Sequence, residues 1–460
     1  RQKMTAEEYI SRIPLWTREK NSLADIRRFL DFLENPDRKI PVIHVAGTNG
    51  KGSVCAYLSS ALKEAGYRVG TFISPHLSEV RERFLLQGLP ADKPLFEEVF
   101  FQVKEAAEHL TREGLCHPTF FEFLFYMAAL LFARQNVDFW VMETGLGGRL
   151  DTTNVVEHPR ICVITSISLE HTRYLGDSLE KIAEEKAGII KKKVPVVYDG
   201  NSVAAARVIQ EKAVQMEAPV YGITREDFFI CPRTSGKKGL VLREKKKQEQ
   251  KNLKPKEQES GKTELTEPGF GGWELEISSP APYQADNGAL ALKALCVLME
   301  QGDIDPRRKK LLCRGMKKMN WPGRMEEIRP GVYLDGAHNP GGIQAFAEAA
   351  KAIPAARRLI LFGAVSDKAY EEMIACLCRC LKPDLVVTTH LKSSRDVKDE
   401  ALQECFRAFG CPVKGFWQAD KALSYLLSQK KEEDVVFCLG SLYLIGELRD
   451  ELQKNLRSEG

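Results

Sequence analysis

The stretch HVAGTNGKGSVCAYLSSALKEAG, residues 44–66, decides the fold of this chain. Its first part places glycines at positions 47, 50 and 52 around a lysine, so that successive backbone N–H groups can point at one anion. Apolar residues at helical spacing follow, at positions 54, 57, 58, 61 and 62. This pattern predicts a helix that ends at Gly66, and a bound anion would lie at the positive end of that helix.

The turn also carries the side chains that a nucleotide site requires. Lys51 would neutralise the β and γ phosphates, and the hydroxyl of Ser53 or Thr48 would reach a magnesium ion. The motif departs from the strict G-x-x-x-x-G-K-[ST] pattern, because Gly52 intervenes before the serine and the first glycine lies too close. As a bare pattern it leaves an ordinary glycine turn open as the alternative.

The composition of the chain excludes several classes of protein. Its 460 residues are enough for two or three domains, each with its own core. A hydrophobic fraction of 43% and a net charge of +4 are ordinary for a soluble globular protein and give no argument for a nucleic-acid or membrane partner. The first ten residues are polar, and no apolar run reaches the length of about 18 residues that a membrane span needs. We therefore expect a cytoplasmic protein.

The twelve cysteines agree with a reducing compartment, because they are scattered through apolar segments rather than spaced as a disulfide framework. Three of them form CLCRC at residues 376–380. That spacing differs from the CxxC of zinc sites, so the sequence favours plain helix residues over a metal site.

Short apolar runs rich in β-branched residues recur along the chain and alternate with helical patterns. They read PVIHVAG, DFWVMETG, ICVITSIS, VPVVYDG, GVYLDGAH, RLILFGA, DLVVTTH and DVVFCLGS. This alternation predicts an α/β fold with parallel sheets. Several runs end in Gly, Asp, Glu, Thr or Ser, at the carboxyl ends where open α/β sheets bind ligands.

Two features predict the domain organisation. Residues 237–272 are rich in Lys, Glu, Gln and Gly and poor in large apolar side chains, which predicts a mobile insertion or an extended hairpin. Near residues 317–322 a helical stretch gives way to a new series of strands. We therefore divide the chain into residues 1–319 and residues 320–460.

Seven motifs occur in order along the chain. They are the glycine turn, METGLGGRLDTTNVV from Met142, SLEHTRYLG from Ser168, EKAGII from Glu185, PGRMEE from Pro322, LDGAHNP from Leu334 and GSLYLIGE from Gly440. Together they resemble the folylpolyglutamate synthase and dihydrofolate synthase family, the folate branch of the Mur ligases. The resemblance runs from about Ile13 to Leu448 and is interrupted by the charged insertion.

The resemblance implies an ATP-dependent amide ligase with the Mur ligase architecture. That architecture has a P-loop NTPase-like N-terminal domain with a parallel-sheet core and a smaller, Rossmann-like C-terminal domain. Enzymes of this kind transfer the γ-phosphoryl group of ATP to a carboxylate, and the amine of L-glutamate displaces phosphate from the acyl phosphate. The chemistry requires screened phosphate charge, in-line positioning and exclusion of water. The small-molecule partners would be ATP, L-glutamate and a folate or dihydropteroate, and we expect a monomer.

Glu143 ends an apolar strand, where a carboxylate can bind magnesium, and a capping or salt-bridged acid is the structural alternative. The resemblance implies two magnesium ions, with Glu143, His171 and Ser74 around the second and Ser53 as a further metal ligand. It also implies that Lys186 is carbamylated, which converts a cation into a carboxylate-like metal ligand. An unmodified Lys186 that contacts phosphate is the alternative.

The resemblance further implies a set of nucleotide-binding residues. They are Gly47, Thr48, Asn49, Gly50, Lys51, Gly52, Ser53, Asn287, Arg324 and Asp335. Lys51, Lys186 and His338 are the expected catalytic residues, although His338 is as well explained as a hydrogen-bonding residue of its loop. Since residues of both domains would serve one nucleotide, an active site between the domains and a domain closure are expected.

For the pterin-bearing substrate the resemblance points to five residues. They are Arg83, Thr119, Phe120, Phe121 and Asp151. Stacking on a pterin is physically reasonable for the two phenylalanines, and core packing explains them equally well. Many family members have a glycine-rich stretch before the phosphate-loop strand, whereas this chain reads WTREKNSLADIRRFLDFLENP. This departure leaves the use of dihydropteroate open.

Two other functions compete with a folate ligase. A cell-wall Mur ligase would join amino acids to a nucleotide-linked substrate, but the extra Gly52 and the GLGGRLDTTNV segment favour the folate branch. A P-loop switch or motor ATPase would leave the downstream motifs unexplained.

Overall fold

The computed structural model describes residues 4–15, 21–169, 175–232, 240–244, 274–393 and 395–458. The chain divides into two compact units. The first contains the described residues of Arg1–Cys231, Val241–Ile277 and Asp286–Met319, and the second those of Pro232–Leu240, Ser278–Ala285 and Asn320–Gly460.

Helices and strands alternate through the first 319 residues, as the apolar runs predict. The helices are α1 Ala6–Arg12, α2 Leu23–Phe32, α3 Lys51–Glu64, α4 Lys93–Arg112, α5 Phe120–Arg134, α6 Leu179–Ala187, α7 Val203–Gln215, α8 Pro282–Glu300 and α9 Lys309–Lys318. The strands are β1 Val42–Ala46, β2 Val69–Phe72, β3 Phe84–Leu86, β4 Leu89–Pro90, β5 Phe139–Glu143, β6 Ile161–Ile164, β7 Val196–Asp199, β8 Val220–Ile223, β9 Phe228–Pro232, β10 Leu240–Glu244 and β11 Glu274–Ile277.

An eight-stranded sheet forms the centre of the first unit, in the order β4-β3-β2-β5-β1-β6-β7-β8. The strands from β2 to β8 in this order pair in parallel, and β3 and β4 extend one edge in antiparallel fashion. The edge strand β4 has only two residues, and Pro90 pairs with Leu85 of β3. Because β1 lies between β5 and β6, the loops that follow these three strands emerge side by side.

Aromatic packing holds α5 and α2 against this sheet. Phe125 of α5 stacks on Trp140 of β5 with ring centroids 5.8 Å apart, and both are fully buried. Phe29 of α2 stacks on Tyr126 of α5 at 3.9 Å. Residues 16–36 stand where many family members have a glycine-rich stretch. Part of this segment is the packed helix α2, whose first turn is capped by Ser22.

The second unit contains a six-stranded sheet in the order β12-β13-β17-β14-β15-β16. Only the β12–β13 pair of this sheet is antiparallel. Its strands are β12 Glu326–Arg329, β13 Val332–Leu334, β14 Arg358–Phe362, β15 Leu385–Thr389, β16 Val413–Phe416 and β17 Val435–Leu439. The helices are α10 Pro340–Lys351, α11 Tyr370–Leu381, α12 Asp399–Ala408, α13 Ala419–Gln429 and α14 Leu442–Ser458. The predicted fold class, two α/β bodies with parallel-sheet cores, is confirmed.

Three smaller predictions concern particular segments. The CLCRC cysteines lie on α11, as expected of plain helix residues. Within the charged segment, β10 forms a three-stranded sheet with β9 and β11, and residues 245–273 lie outside the described residues. Among the helices that the structure describes, none combines the length and apolar character needed to cross a bilayer.

Candidate active site

The predicted phosphate turn, residues 47–50, connects β1 to α3. Gly47 has φ +148° and Gly50 has φ +89°, in the region that favours glycine. A Cβ on Gly47 would overlap the hydroxyl of Thr165, and one on Gly50 would overlap the side-chain amide of Asn287. The glycines are therefore required by both backbone conformation and space, and Asn287 lies directly against the turn.

The loop that follows β6 anchors the turn. The backbone N–H of Thr48 donates to the carbonyl of Ser166 at 2.9 Å, and the Thr165 hydroxyl donates to the carbonyl of Asn49 at 2.6 Å. The Thr48 hydroxyl donates to the Ser168 carbonyl and accepts from the Ser168 N–H, both at 3.2 Å. These bonds engage both the backbone and the hydroxyl of Thr48, so Thr48 holds the turn against the loop that follows β6.

Three residues predicted from the sequence meet at the carboxyl end of β5. Lys51 Nζ donates to the Thr48 carbonyl at 3.1 Å and lies 4.0 Å from Glu143 Oε1. The other carboxylate oxygen of Glu143 accepts from the backbone N–H of Ser74 at 2.9 Å. Glu143 is only 4% exposed, so a buried carboxylate lies beside the lysine of the phosphate turn.

Lys186 of α6 also reaches the turn. Its side chain is buried, and Nζ donates to the carbonyl of Gly47 at 2.7 Å. The GLGGR loop, residues 145–149, packs on the same helix. There Arg149 forms a 2.6 Å ion pair with Glu185, and the Arg149 N–H donates to the Glu185 carbonyl at 2.7 Å. The structure thus brings Lys186 to the phosphate turn, whereas His171 lies outside the described residues.

The donor set near the turn fits one magnesium ion. The carboxylate of Glu143 and the buried hydroxyl of Ser53 are hard oxygen donors. Among the described residues no group of three His, Cys, Asp or Glu side chains could hold a metal. Magnesium ordinarily takes one or two carboxylates and completes its shell with phosphates and water, so this sparse set is sufficient. The ammonium form of Lys186 is not a metal ligand.

A second cluster lies around the start of α5. The guanidinium of Arg83 lies 5.1 Å from the centroid of the Phe120 ring, and its Nε donates to Nδ1 of His76 at 2.8 Å. Burial, with the charge of Arg83, lowers the pKa of His76 to about 4. The Phe121 ring lies against the backbone of Gly145, where an added Cβ would come within 2.7 Å of it. Arg83 therefore lies against Phe120, and Phe121, the next residue of α5, lies against the GLGGR loop.

Thr119 and Asp151 have structural partners of their own. Thr119 is the N-cap of α5, accepting from the Glu122 N–H at 3.4 Å and donating its own N–H to the Glu122 carboxylate at 3.0 Å. Asp151 Oδ2 accepts from the Leu146 N–H at 2.8 Å, and Oδ1 accepts from Thr153. Burial raises the pKa of Asp151 against the effect of these donors. Their substrate roles remain predictions.

In the second unit, Asp335 follows β13. Its Oδ2 accepts from the Tyr283 hydroxyl and the Met325 N–H, both at 2.9 Å, and Oδ1 accepts from the Ala337 N–H at 2.8 Å. Burial raises the pKa of this carboxyl, and the charge of Arg324 opposes that rise. Arg324 itself donates to the Gly323 carbonyl at 3.1 Å.

His338 lies on the same loop and is half-buried. Its Nδ1 lies 2.7 Å from the carbonyl of Gly336, which can only accept, so Nδ1 is the donor of this bond. Asn339 then caps α10 by accepting from the Gly342 N–H at 2.7 Å.

Thr165 and Ser166, which anchor the phosphate turn, were not predicted from the sequence. The run of small hydroxyl residues after ICVI was the available signal.

Comparison with known proteins gives consistent matches over nearly the whole chain. The Mur ligase middle domain matches residues 116–295, and the Mur ligase glutamate ligase domain matches residues 323–442. The chain is 35% identical over 439 residues to the dihydrofolate synthase/folylpolyglutamate synthase of Bacillus subtilis (strain 168), which covers 94% of this chain and 95% of the relative. A probable dihydrofolate synthetase of Schizosaccharomyces pombe is 30% identical over 450 residues, with 92% and 95% covered. The folylpolyglutamate synthase of Mycobacterium tuberculosis, solved in complex with ADP, superimposes with a TM-score of 0.82 at 27% identity, and each chain is covered to 97%.

Proposed function

The chain belongs to the folylpolyglutamate synthase and dihydrofolate synthase family of Mur ligases, and we propose that it joins L-glutamate to the carboxylate of a folate in an ATP-dependent reaction. The reaction passes through an acyl phosphate of the folate carboxylate. The observation that carries this proposal is the arrangement of Lys51, Glu143 and Ser74 around the phosphate turn. A cation beside a buried carboxylate supports phosphoryl transfer, which needs charge screening and a metal ligand.

In this mechanism the backbone N–H groups of residues 50–53, at the start of α3, bind the phosphates, and Lys51 neutralises charge that develops on the transferred group. Ser53 and Glu143 would hold magnesium, which when bound screens the phosphate oxygens. Asn287 contacts the nucleotide, supported by its position against Gly50. A fixed nucleotide then allows the folate carboxylate to be held in line with the γ-phosphorus.

The finer features of the metal site are part of the same proposal. A second magnesium ion would use Ser74, Glu143 and His171 and a carbamylated Lys186. In support, Lys186 is buried and its Nζ lies 2.7 Å from the Gly47 carbonyl, so a carbamate there would enter the phosphate turn. An unmodified ammonium that braces the turn fits the same contact, and the two forms differ in charge.

Residues 320–460 supply further groups in this proposal. Arg324 binds phosphate oxygens and Asp335 binds the ribose or another part of the nucleotide. His338 is the third proposed catalytic residue, and the hydrogen bond of its Nδ1 to the Gly336 carbonyl fixes the ring on its loop. The division into residues 1–319 and 320–460 is supported by the change of unit between Met319 and Asn320.

For the pterin-bearing substrate we propose Arg83, Phe120, Phe121, Thr119 and Asp151. In support, Arg83 lies against Phe120, and Phe121 lies against Gly145. Dihydropteroate is a second acceptor in this proposal, because the Bacillus subtilis relative carries both activities in its name. The cytoplasmic location and the monomeric state remain predictions from the sequence.

The test is glutamate-dependent phosphate release from ATP and magnesium, with tetrahydrofolate and dihydropteroate compared as acceptors. Turnover with both acceptors would establish a bifunctional synthase, and turnover with tetrahydrofolate alone would identify a dedicated polyglutamate synthase. A Lys51→Met variant should lose both reactions while it keeps the unfolding temperature of the wild type. Phosphate release that needs neither glutamate nor folate would refute the ligase and favour a switch or motor ATPase.

A further inference from the structure

A buried chain of hydrogen bonds links the strand that feeds the phosphate turn to the GLGGR loop. His44 lies on β1, three residues before Gly47, and is fully buried. Its Nε2 lies 2.8 Å from the Thr153 hydroxyl, which lies 2.5 Å from Asp151 Oδ1. The proposed mechanism does not use His44 or Thr153.

The direction of each bond follows from the number of protons available. The Thr153 hydroxyl has one proton, and a carboxylate can only accept, so this proton goes to Asp151. The hydroxyl therefore accepts from His44, which fixes the histidine as the tautomer protonated on Nε2. Nδ1 of His44 then carries a lone pair, and it has no hydrogen-bond partner in the part of the chain that the structure describes. Burial, with the charge of Lys191, lowers the pKa of His44 to about 3, so the ring is uncharged at neutral pH.

Asp151, the last member of this series of hydrogen bonds, shapes a loop. Asp151 accepts from the N–H groups of Leu146 and Thr153, so it closes the segment between them into one turn. Directly before that segment the backbone of Gly145 lies against Phe121. The backbone of Gly148 approaches the Lys186 backbone so closely that a Cβ there would lie 3.0 Å from its Cα.

We propose that His44 and Thr153 are positioning residues that act through Asp151 on the loop of residues 145–151, and thereby hold the folate side of the site. The proposal rests on the proposed function, because it assigns the loop and Phe121 to the folate. Neither residue touches a substrate in this account. His44 is a neutral donor whose orientation is set by β1. The hydrogen bonds from His44 through Thr153 to Asp151 therefore couple the position of β1 to the position of the loop on the folate side.

The test uses two matched pairs of variants. Thr153→Val removes the hydroxyl with little change in shape, and Thr153→Ser keeps it. His44→Leu removes the donor, and His44→Gln places an amide N–H near the position of Nε2. We expect Thr153→Val and His44→Leu to raise the KM for folate by about tenfold and to leave the KM for ATP within about twofold. The serine and glutamine variants should be close to wild type.

A further control separates positioning from loss of stability. Thr71 and Ser59 form another buried hydroxyl pair of the first unit, at 2.6 Å. Thr71→Val should lower the unfolding temperature as Thr153→Val does and leave the KM for folate unchanged. The double variant with His44→Leu and Thr153→Val should be no worse than Thr153→Val alone, because the two residues act in series.

Hydrogen exchange gives a readout that does not depend on activity. Thr153→Val should speed exchange in a peptide covering residues 145–152, where the Leu146 N–H is protected by Asp151, and leave exchange in α3 unchanged. Equal rises in both KM values, failure of Thr153→Ser to restore the wild-type KM, or unchanged exchange in that peptide would overturn the inference. If the wild type ligates no folate, the proposed function fails. The exchange experiment still decides whether the hydrogen bonds from His44 through Thr153 to Asp151 order the loop.

Discussion

Replacing Gly50 by alanine tests whether the phosphate turn depends on its contact with Asn287. Gly50 is the N-cap of α3 and has φ +89° and ψ −8°. An L-residue in this left-handed conformation costs about 1–2 kcal/mol. The new Cβ would also overlap the Asn287 amide, so either the turn or the amide must move.

The expected loss of nucleotide affinity follows from that movement. If the Asn287 amide leaves the nucleotide, one hydrogen bond with a net value of about 0.5–1.5 kcal/mol is lost. This corresponds to ADP binding that is about 2- to 12-fold weaker, measured by titration calorimetry with magnesium present. The free energy of unfolding of the first unit should fall as well, by at least the conformational cost.

Gly114 provides a matched control for the backbone term. It has φ +98°, and among the described residues nothing lies within 4 Å of a Cβ built there. Gly114→Ala should therefore destabilise the protein by a similar conformational cost and bind ADP as the wild type does. Equal ADP affinities for Gly50→Ala and Gly114→Ala would refute the claim that the Asn287 contact supports nucleotide binding.

Four further predictions concern the metal, the lysine, the folate side and the pH. Glu143→Gln should raise the magnesium concentration for half-maximal activity by about tenfold, because a neutral amide is a weaker ligand than a carboxylate. Lys186→Ala should lower kcat on the order of 100-fold, and added short carboxylic acids should restore part of it only if the native side chain is a carbamate. Arg83→Lys should raise the KM for folate about fivefold at constant KM for ATP, because the planar guanidinium over Phe120 is lost. Burial keeps the His44 ring uncharged down to a pKa of about 3, whereas in the unfolded chain the ring takes up a second proton below a pH of about 6.5. The stability that His44 contributes is therefore complete above pH 6.5 and is lost as the pH falls. The free energy of unfolding should therefore fall by about 2 kcal/mol from pH 7 to pH 5 because of His44, and denaturant titrations of His44→Leu should show a flatter dependence.

The sequence predicted the main strands because each is a compact apolar run. All eight such runs form strands of the two central sheets, and the helix after the phosphate turn begins at Lys51 and ends just before Gly66, as its spacing indicated. Some of the strands that the pattern missed are short and weakly apolar. For example, β16 reads VKGF and is half exposed, so neither periodicity nor hydrophobicity distinguishes it from a loop.

Part of the candidate site was predictable for a topological reason. Lys51 and Glu143 end up 4.0 Å apart because the carboxyl ends of neighbouring parallel strands share one edge of the sheet. The anchoring of Thr48 was not predictable from the turn itself, because its partner Ser168 lies 120 residues later. The capping role of Thr119 could have been predicted, since T-F-F-E is a capping-box pattern. The family resemblance implied a substrate role for the same residue.

The short edge strand β4 has a consequence for the solubility of this protein. A sheet with a long, bare outer strand recruits further chains by strand addition, and natural proteins blunt such edges with short strands and proline. Here the outer strand offers two residues, and Pro90 has no N–H to donate to an incoming chain. Leu89 can therefore remain 67% exposed at this edge without turning it into a template for aggregation during synthesis or concentrated storage.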